Sequence, residues 1–253
     1  MPEPVDAPVL ALDGLRVQAG GRTLLDGVSL QVPPRGLLGI VGPNGAGKSS
    51  LLRAALDLLP LQAGQVQLDG RALAQWTPRE RAARIGYVPQ QAHSHWDLTV
   101  QELLSLQRPR HADWLPQLIE ACELDALLGR RFATLSGGEK ARASLARALV
   151  HEPALLLADE PAAHLDIPHH HRLMAMLRAQ SASRAVVVVL HDLHVASRHC
   201  DRLVLMAEGR VLADGTPAQV LEPARLQQAF GAPVSVHEAG AWRFFSAGEE
   251  AAP

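Results

Sequence analysis

Three short segments carry residues able to handle phosphate. The run GPNGAGKSS at 42–50 fits the pattern G-x-x-x-x-G-K-[ST]. In that pattern glycines let the backbone approach phosphate oxygens, and successive N–H groups point inward at a helix start. Gly42, Gly45 and Gly47 supply that freedom, Lys48 is expected to reach the β- and γ-phosphates, and the Ser49 hydroxyl to ligate Mg²⁺. LLLADE at 155–160 ends an apolar run on two carboxylates, Asp159 and Glu160, where a parallel sheet presents its ligand site. Without the glycine loop, that pair would read better as a helix start before Pro161, since acidic residues favour helix starts. LSGGE at 135–139 offers the Ser136 hydroxyl, close backbone approach at Gly137 and Gly138, and the positive end of a helix.

These residues need a scaffold, and the pattern around them predicts one. Alternation predicts antiparallel strands over 10–17 and 24–32, joined at Gly20-Gly21. A short apolar run over 36–41 feeds the glycine loop, and helical periodicity over 48–59 follows it. Strands are expected over 65–68 and 85–88, the latter ended by Pro89. Between 91 and 134 the pattern changes to short helices over 100–107, 113–121 and 123–128, read as a helical insert. The core resumes with a helix after Gly137-Gly138, a strand over 154–158, a helix over 168–180, a strand over 185–190 and a helix over 192–200. Short Val/Leu/Ala strands alternating with helices indicate a parallel sheet covered on both faces. A hairpin over 202–214 turns at Glu208-Gly209, and the tail beyond Val236 is expected to fray.

Composition excludes several classes. With 253 residues and 47% hydrophobic content, the chain can build a sizeable core. Acidic and basic residues nearly cancel, 26 against 24, and only 4% are aromatic, so nucleic acid is not an expected partner. Cys122 and Cys200 lack a C-x-x-C neighbour and read as reduced core residues. The first ten residues have neither a basic nor an apolar region, so no signal peptide is expected. No apolar run approaches the roughly 18–20 residues that a membrane helix needs. Any transport role therefore requires a pore from another polypeptide.

Together and in this order, the three segments resemble those of the ATP-binding cassette (ABC) ATPases over roughly positions 10 to 230. The resemblance implies a phosphate-loop ATPase α/β core, a mostly parallel sheet flanked by helices. It adds an N-terminal antiparallel β subdomain and an inserted α-helical subdomain. The ATPase domain spans 8–236, with the insert at about 91–134 and a tail over 237–253. ATP would be bound by Gly42, Pro43, Asn44, Gly45, Ala46, Gly47, Lys48, Ser49 and Ser50. Asp159 would hold Mg²⁺ through water together with Ser49 and Gln90, and Glu160 would be the general base. Gln90, after the strand over 85–88, matches the glutamine that touches the metal or the water and senses a membrane partner. His191, after VVVVL, matches the histidine that contacts the γ-phosphate. Ser136, Gly137, Gly138, Glu139 and Asp166 would serve the ATP of a second copy, so the active unit is a head-to-tail homodimer with two ATPs in its interface.

One departure stands out. The family places an aromatic ring near Gly20 to stack on adenine, whereas this chain has Ala19 there and no aromatic residue before Trp76. Either the stack is lost, at about 0.5–1.5 kcal/mol, or Arg16 or Arg22 covers the base. The segment HDLHVASRHCDRLVLMAEGRVLADGTPAQVL resembles importer ATPases for iron–siderophore, haem and cobalamin. Zinc and manganese importer ATPases are nearly as similar. Such a subunit would sit at the cytoplasmic face of the inner membrane on polytopic permeases, served by a periplasmic or extracellular binding protein. The alternatives are an iron–sulfur assembly ATPase and an exporter subunit. The stretch between Lys48 and Ser136 is too short, and too poor in heptads, for the coiled coil of DNA-organising relatives. The run His169-His170-His171 reads as a solvated helix start, since adjacent helical residues do not share a face. His93, His95 and Trp96 read as a surface that meets a partner, with Trp96 either in a docking segment over 90–107 or closing the core beneath the insert.

Overall fold

The computed structural model describes residues 7–90, 97–106, 111, 113–163, 165–239 and 242–247. His93, His95 and Trp96 lie outside the described residues. Strands β1 (Leu10–Ala19) and β2 (Arg22–Val32) pair across Gly20-Gly21, and β3 (Gly36–Val41) runs into the glycine loop and helix α1 (Lys48–Ala55). Next come β4 (Ala63–Leu68), β5 (Arg71–Ala72), α2 (Pro78–Arg84) and β6 (Ile85–Val88). The insert contributes α3 (Val100–Ser105) and α4 (Trp114–Ala121). The chain then alternates: α5 (Gly137–Leu149), β7 (Leu155–Asp159), α6 (Ile167–Ser181), β8 (Ala185–Val189) and α7 (Leu193–His199). It ends with β9 (Arg202–Ala207), β10 (Arg210–Gly215), α8 (Pro217–Val220), α9 (Pro223–Phe230), β11 (Val234–Ala239) and β12 (Trp242–Ala247).

Among the described residues, six strands form the central sheet in the order β10-β9-β3-β8-β7-β6, with only the β9–β10 pair antiparallel. A second, antiparallel sheet has the order β2-β1-β4-β5. The predicted mostly parallel core and antiparallel subdomain are both present. The strand period of two divides the central sheet between two hydrophobic clusters. Leu155, Leu157, Val187, Val189, Val204 and Met206 pack toward the antiparallel sheet and α1. Leu156, Ala158, Val186, Val188, Leu203 and Leu205 pack on the other face, with the buried side chains of α5, α6 and the insert. Both faces are apolar, hence the uninterrupted LLLA and VVVV runs.

The structure departs from the sequence-based elements in several places. Helix α1 stops at Ala55, short of 59, because Asp57 takes a left-handed φ of 61° and Leu58 N–H bonds back to the Arg53 carbonyl. Helix α2 was not anticipated: it carries no apolar stripe and none of its residues is buried. A Thr77/Glu80 capping box with Pro78 in the first turn starts it. The predicted helix over 123–128 is only a 3₁₀ turn at Asp125–Leu127, preceded by Glu123 at φ 53°. The tail does not fray at Val236, since β11 and β12 pair from Val234↔Ala247 to Ala239↔Trp242. Val234, Val236 and Phe245 pack on the core, which draws the hairpin down.

The insert is fastened to the core through Trp114. Its indole Nε1 donates to the Leu149 carbonyl at 3.0 Å, and the Arg184 guanidinium lies 5.7 Å from the ring centroid. Arg184 is itself buried and donates to the Pro153 carbonyl at 3.0 Å. Trp114→Phe is expected to cost about 1 kcal/mol through the lost hydrogen bond, and Trp114→Ala about 3 kcal/mol. Urea unfolding of the two variants checks both values.

Candidate functional site

Four groups of predicted site residues sit at the carboxyl ends of adjacent parallel strands: the glycine loop after β3, His191 after β8, Asp159 and Glu160 at β7, and Gln90 after β6. This is where an open parallel sheet offers a crevice. In the loop, Gly42 and Gly47 have φ of 143° and 97°. A Cβ on Gly42 would lie 2.0 Å from the Met206 carbonyl oxygen, and one on Gly47 2.5 Å from that of Leu24. Both positions therefore demand glycine. The Ala46 carbonyl accepts from Gly209 N–H at 3.1 Å, and the Gly209 carbonyl from Asp26 N–H at 2.9 Å, so the loop is braced from behind.

Lys48 is only 6% exposed, and its ammonium donates to the carbonyls of Gly42 at 2.8 Å and Pro43 at 2.9 Å. Burial lowers its pKa below the usual lysine value, opposed by the charges of Glu160 and Asp159. Ser49 Oγ donates to Asp159 Oδ1 at 2.8 Å. Asp159 is fully buried, and burial raises its pKa; the Ser49 bond works against that rise. Its other oxygen, Oδ2, is buried with no hydrogen-bond partner among the described residues. A buried carboxylate oxygen without a donor, beside a serine hydroxyl, is a donor set that fits a hard divalent cation.

Glu160 adopts a left-handed backbone, φ 45°, which is uncommon for a residue with a Cβ and costs on the order of 1–3 kcal/mol. Its Oε2 accepts from Gln90 Nε2 at 2.9 Å. An open cavity of about 190 Å³ is lined by Leu24, residues 44–50 and Glu160. Leu24 is the lining residue that the sequence did not single out. None of the lining residues is aromatic, and Arg16 is held 3.6 Å from Asp26, a carboxylate that Arg210 also grips. His191 is exposed and is not part of that lining.

The remaining predicted residues form a separate cluster. Ser136 caps α5 in a capping box: its hydroxyl accepts from Glu139 N–H at 3.3 Å and its N–H donates to the Glu139 carboxylate at 2.7 Å. The Ser136 N–H bond chiefly holds Glu139 below its usual pKa. Asp166 caps α6, accepting from His169 N–H at 3.1 Å. Neither Ser136 nor Asp166 lines the cavity at the glycine loop. Gly137 instead faces a second cavity of about 160 Å³, shared with Gln90, Lys140, Pro161 and Leu165.

The histidine run is not a solvated helix start. His169, His170 and His171 are half-buried, the ring centroids of His171 and His199 lie 6.1 Å apart, and the Nε2 atoms of His170 and His199 are buried without a partner among the described residues. Burial lowers both of those pKa values. The cysteines are free and buried, with thiols pushed up to about 12. Among the described residues no helix is long and apolar enough to cross a membrane.

The family model for the ABC transporter matches residues 25–163. This chain belongs to the ABC transporter ATPases. It is 41% identical over 247 residues to the Hemin import ATP-binding protein HmuV of Rhodococcus jostii (strain RHA1), covering 94% of this chain and 85% of that one. A solved ATP-binding subunit of an ABC transporter superposes with a TM-score of 0.75 at 28% identity, over 88% of this chain and 93% of that one. A bacterial Atm1-family ABC exporter with ATP bound gives 0.76 at 25% identity, over 86% of this chain and 40% of that one. The chain is thus the nucleotide-binding, ATP-hydrolysing subunit of a membrane transporter. Importer and exporter subunits share this fold, so the fold does not set the direction of transport.

Asp159 supplies a test of the site that needs no turnover. Its folded pKa is raised, so its contribution to stability is present below the unfolded carboxylate value and is lost as pH rises through the folded one. Asp159→Asn should therefore stabilise the nucleotide-free protein by on the order of 1 kcal/mol near neutral pH. The gain should vanish in acid, where the wild-type carboxyl is protonated. Melting temperatures across pH check the sign, and Mg²⁺-dependent ATP binding should fall in the same variant.

Proposed function

We propose that this chain drives haem import as a homodimer on the cytoplasmic side of a polytopic permease, fed by a periplasmic or extracellular binding protein. The likeness to curated hemin import subunits along nearly the whole chain supports the substrate class. The observation that carries the catalytic reading is a continuous set of contacts. Lys48 holds the loop, Ser49 meets Asp159, and Gln90 meets Glu160, all at neighbouring strand ends.

In this reading the loop's N–H groups and Lys48 bind the β- and γ-phosphates of ATP. Ser49, Asp159 and Gln90 would hold Mg²⁺, and the metal would supply positive charge to offset the charge that builds on the phosphate. The Glu160 carboxylate accepts the proton of the attacking water, and the Gln90 amide keeps that carboxylate aimed. His191, at the end of β8, contacts the γ-phosphate. Ser136 and Gly137 are exposed at the start of α5 and lie outside the lining of their own chain's loop cavity, which supports service to a second copy's ATP. Glu139 shapes that helix start, and Asp166 belongs to the same surface. The ATPase domain then runs from residue 8 through the paired hairpin that ends at Ala247.

Glu160→Gln should bind Mg·ATP with near-native affinity, lose more than 100-fold in turnover and accumulate an ATP-bound dimer. Lys48→Ala should lose binding itself. In the source organism, deleting the gene should abolish growth on haemin as sole iron source, with rescue by the wild type and not by Glu160→Gln. Undiminished haemin uptake in the deletion strain would overturn the substrate assignment.

A further inference from the structure

His169 is the point where two helix starts touch. On the α6 side, its backbone N–H donates to Asp166 Oδ1 at 3.1 Å and its ring Nδ1 bonds to the same oxygen. That bond is the leading cause holding the Asp166 carboxyl below its usual pKa. On the α5 side, a Cβ built on Gly138 would lie 2.5 Å from His169 Cδ2, 2.9 Å from Cγ and 3.3 Å from Cβ. The imidazole therefore rests directly on the Gly138 backbone, and no larger residue fits between them. A second contact runs parallel: a Cβ on Gly137 would lie 3.3 Å from Leu165 Cδ2. An imidazole has one flat, rigid ring to present to both helices, so displacing Asp166 displaces the ring against Gly138.

We propose that His169 is a positioning residue: it locks the signature residues Ser136, Gly137 and Gly138 and the Asp166 carboxylate into one rigid half-site for the nucleotide of a second copy of the chain. The inference rests on the reading of these residues as acting in trans, and it assigns a role that neither helix start could fill alone. A cap at Asp166 fixes only α6, and a cap at Ser136 fixes only α5. His169 fixes the distance between them, which a phosphate bridging two subunits must match to within tenths of an ångström.

The test uses the full chain carrying Glu160→Gln, with three further variants: His169→Ala, His169→Asn and Ser136→Arg. Asparagine keeps Cβ, Cγ and a donor where Nδ1 stands. Three quantities are measured: ATP affinity of the dilute single subunit, the dissociation constant of the ATP-driven dimer by sedimentation, and melting temperature. His169→Ala should weaken dimerisation at least tenfold while ATP affinity stays within twofold and melting within a few degrees, and His169→Asn should recover most of the loss. Parental dimerisation of His169→Ala, with Ser136→Arg abolishing it, would overturn the role of His169 alone. Indifference to Ser136→Arg as well would overturn the trans reading and this inference with it. Loss of ATP affinity or folding in His169→Ala, unrescued by asparagine, would reduce the residue to a structural one.

Discussion

The site depends on a buried carboxylate that the protein alone leaves half satisfied. Asp159 has no exposed surface; one oxygen receives the Ser49 hydroxyl and the other has no donor among the described residues. Burial resists its ionisation, and the Ser49 hydrogen bond, followed by the charges of Arg53 and Lys48, relieves this only in part. Lys48 is strained in the opposite sense, an ammonium kept from water and satisfied by two backbone carbonyls. In the proposed site, a bound cation and a polyanion would answer both needs together: the cation would complete the carboxylate, and the phosphates would give the ammonium a charged partner. Ligand binding here is therefore coupled to the relief of electrostatic stress inside the fold.

That stress is tolerable because the sheet around it is rigid and apolar on both faces. The order β3-β8-β7-β6 sets the glycine loop, His191, Asp159 with Glu160, and Gln90 in one row at strand spacing. None of these residues needs a long loop to reach its place. The left-handed turn at Glu160 is the local exception: the strand ends on Asp159 pointing inward, and the reversal at Glu160 carries the next carboxylate toward Gln90.

How much of this could be read in advance depended on whether a residue's role is fixed along the chain or across it. The strands at Gly36–Val41 and Ile85–Val88 have the predicted bounds, because glycine, proline and the apolar run mark their ends locally. The glycine loop, the carboxylate pair and the signature are local patterns as well, and each lies on the element its spacing called for. Helix α2 carried a local signal in Thr77 and Glu80, a capping box that hydrophobic periodicity cannot detect. His169 was misjudged for a different reason. Its i, i+3 relation to Asp166 was visible, but its contact with Gly138 joins segments that only the tertiary fold brings together. The same holds for Leu24, which looks like any strand residue until β2 is laid beside the loop.

The Gln90–Glu160 hydrogen bond also bounds how strongly the glutamine segment can govern hydrolysis. A hydrogen bond to a charged group is worth about 1.5–3 kcal/mol net, which shifts a two-state population by roughly ten- to a hundredfold. Swinging a site from almost wholly inactive to almost wholly active takes about 5.5 kcal/mol. One bond at 2.9 Å can therefore bias the aim of the Glu160 carboxylate but cannot act as the whole switch. In the proposed homodimer, the remainder would come from contacts that form only when nucleotide and a second subunit are both present. Among the described residues the surface best placed to supply them is the joint of α5 and α6, where Ser136 and Gly137 are exposed while Gly138 and His169 hold the backbone beneath them. In the proposed homodimer, a rigid joint there would pass the binding energy of one subunit's phosphate to the other with little loss to internal motion, as a site shared between two chains would require.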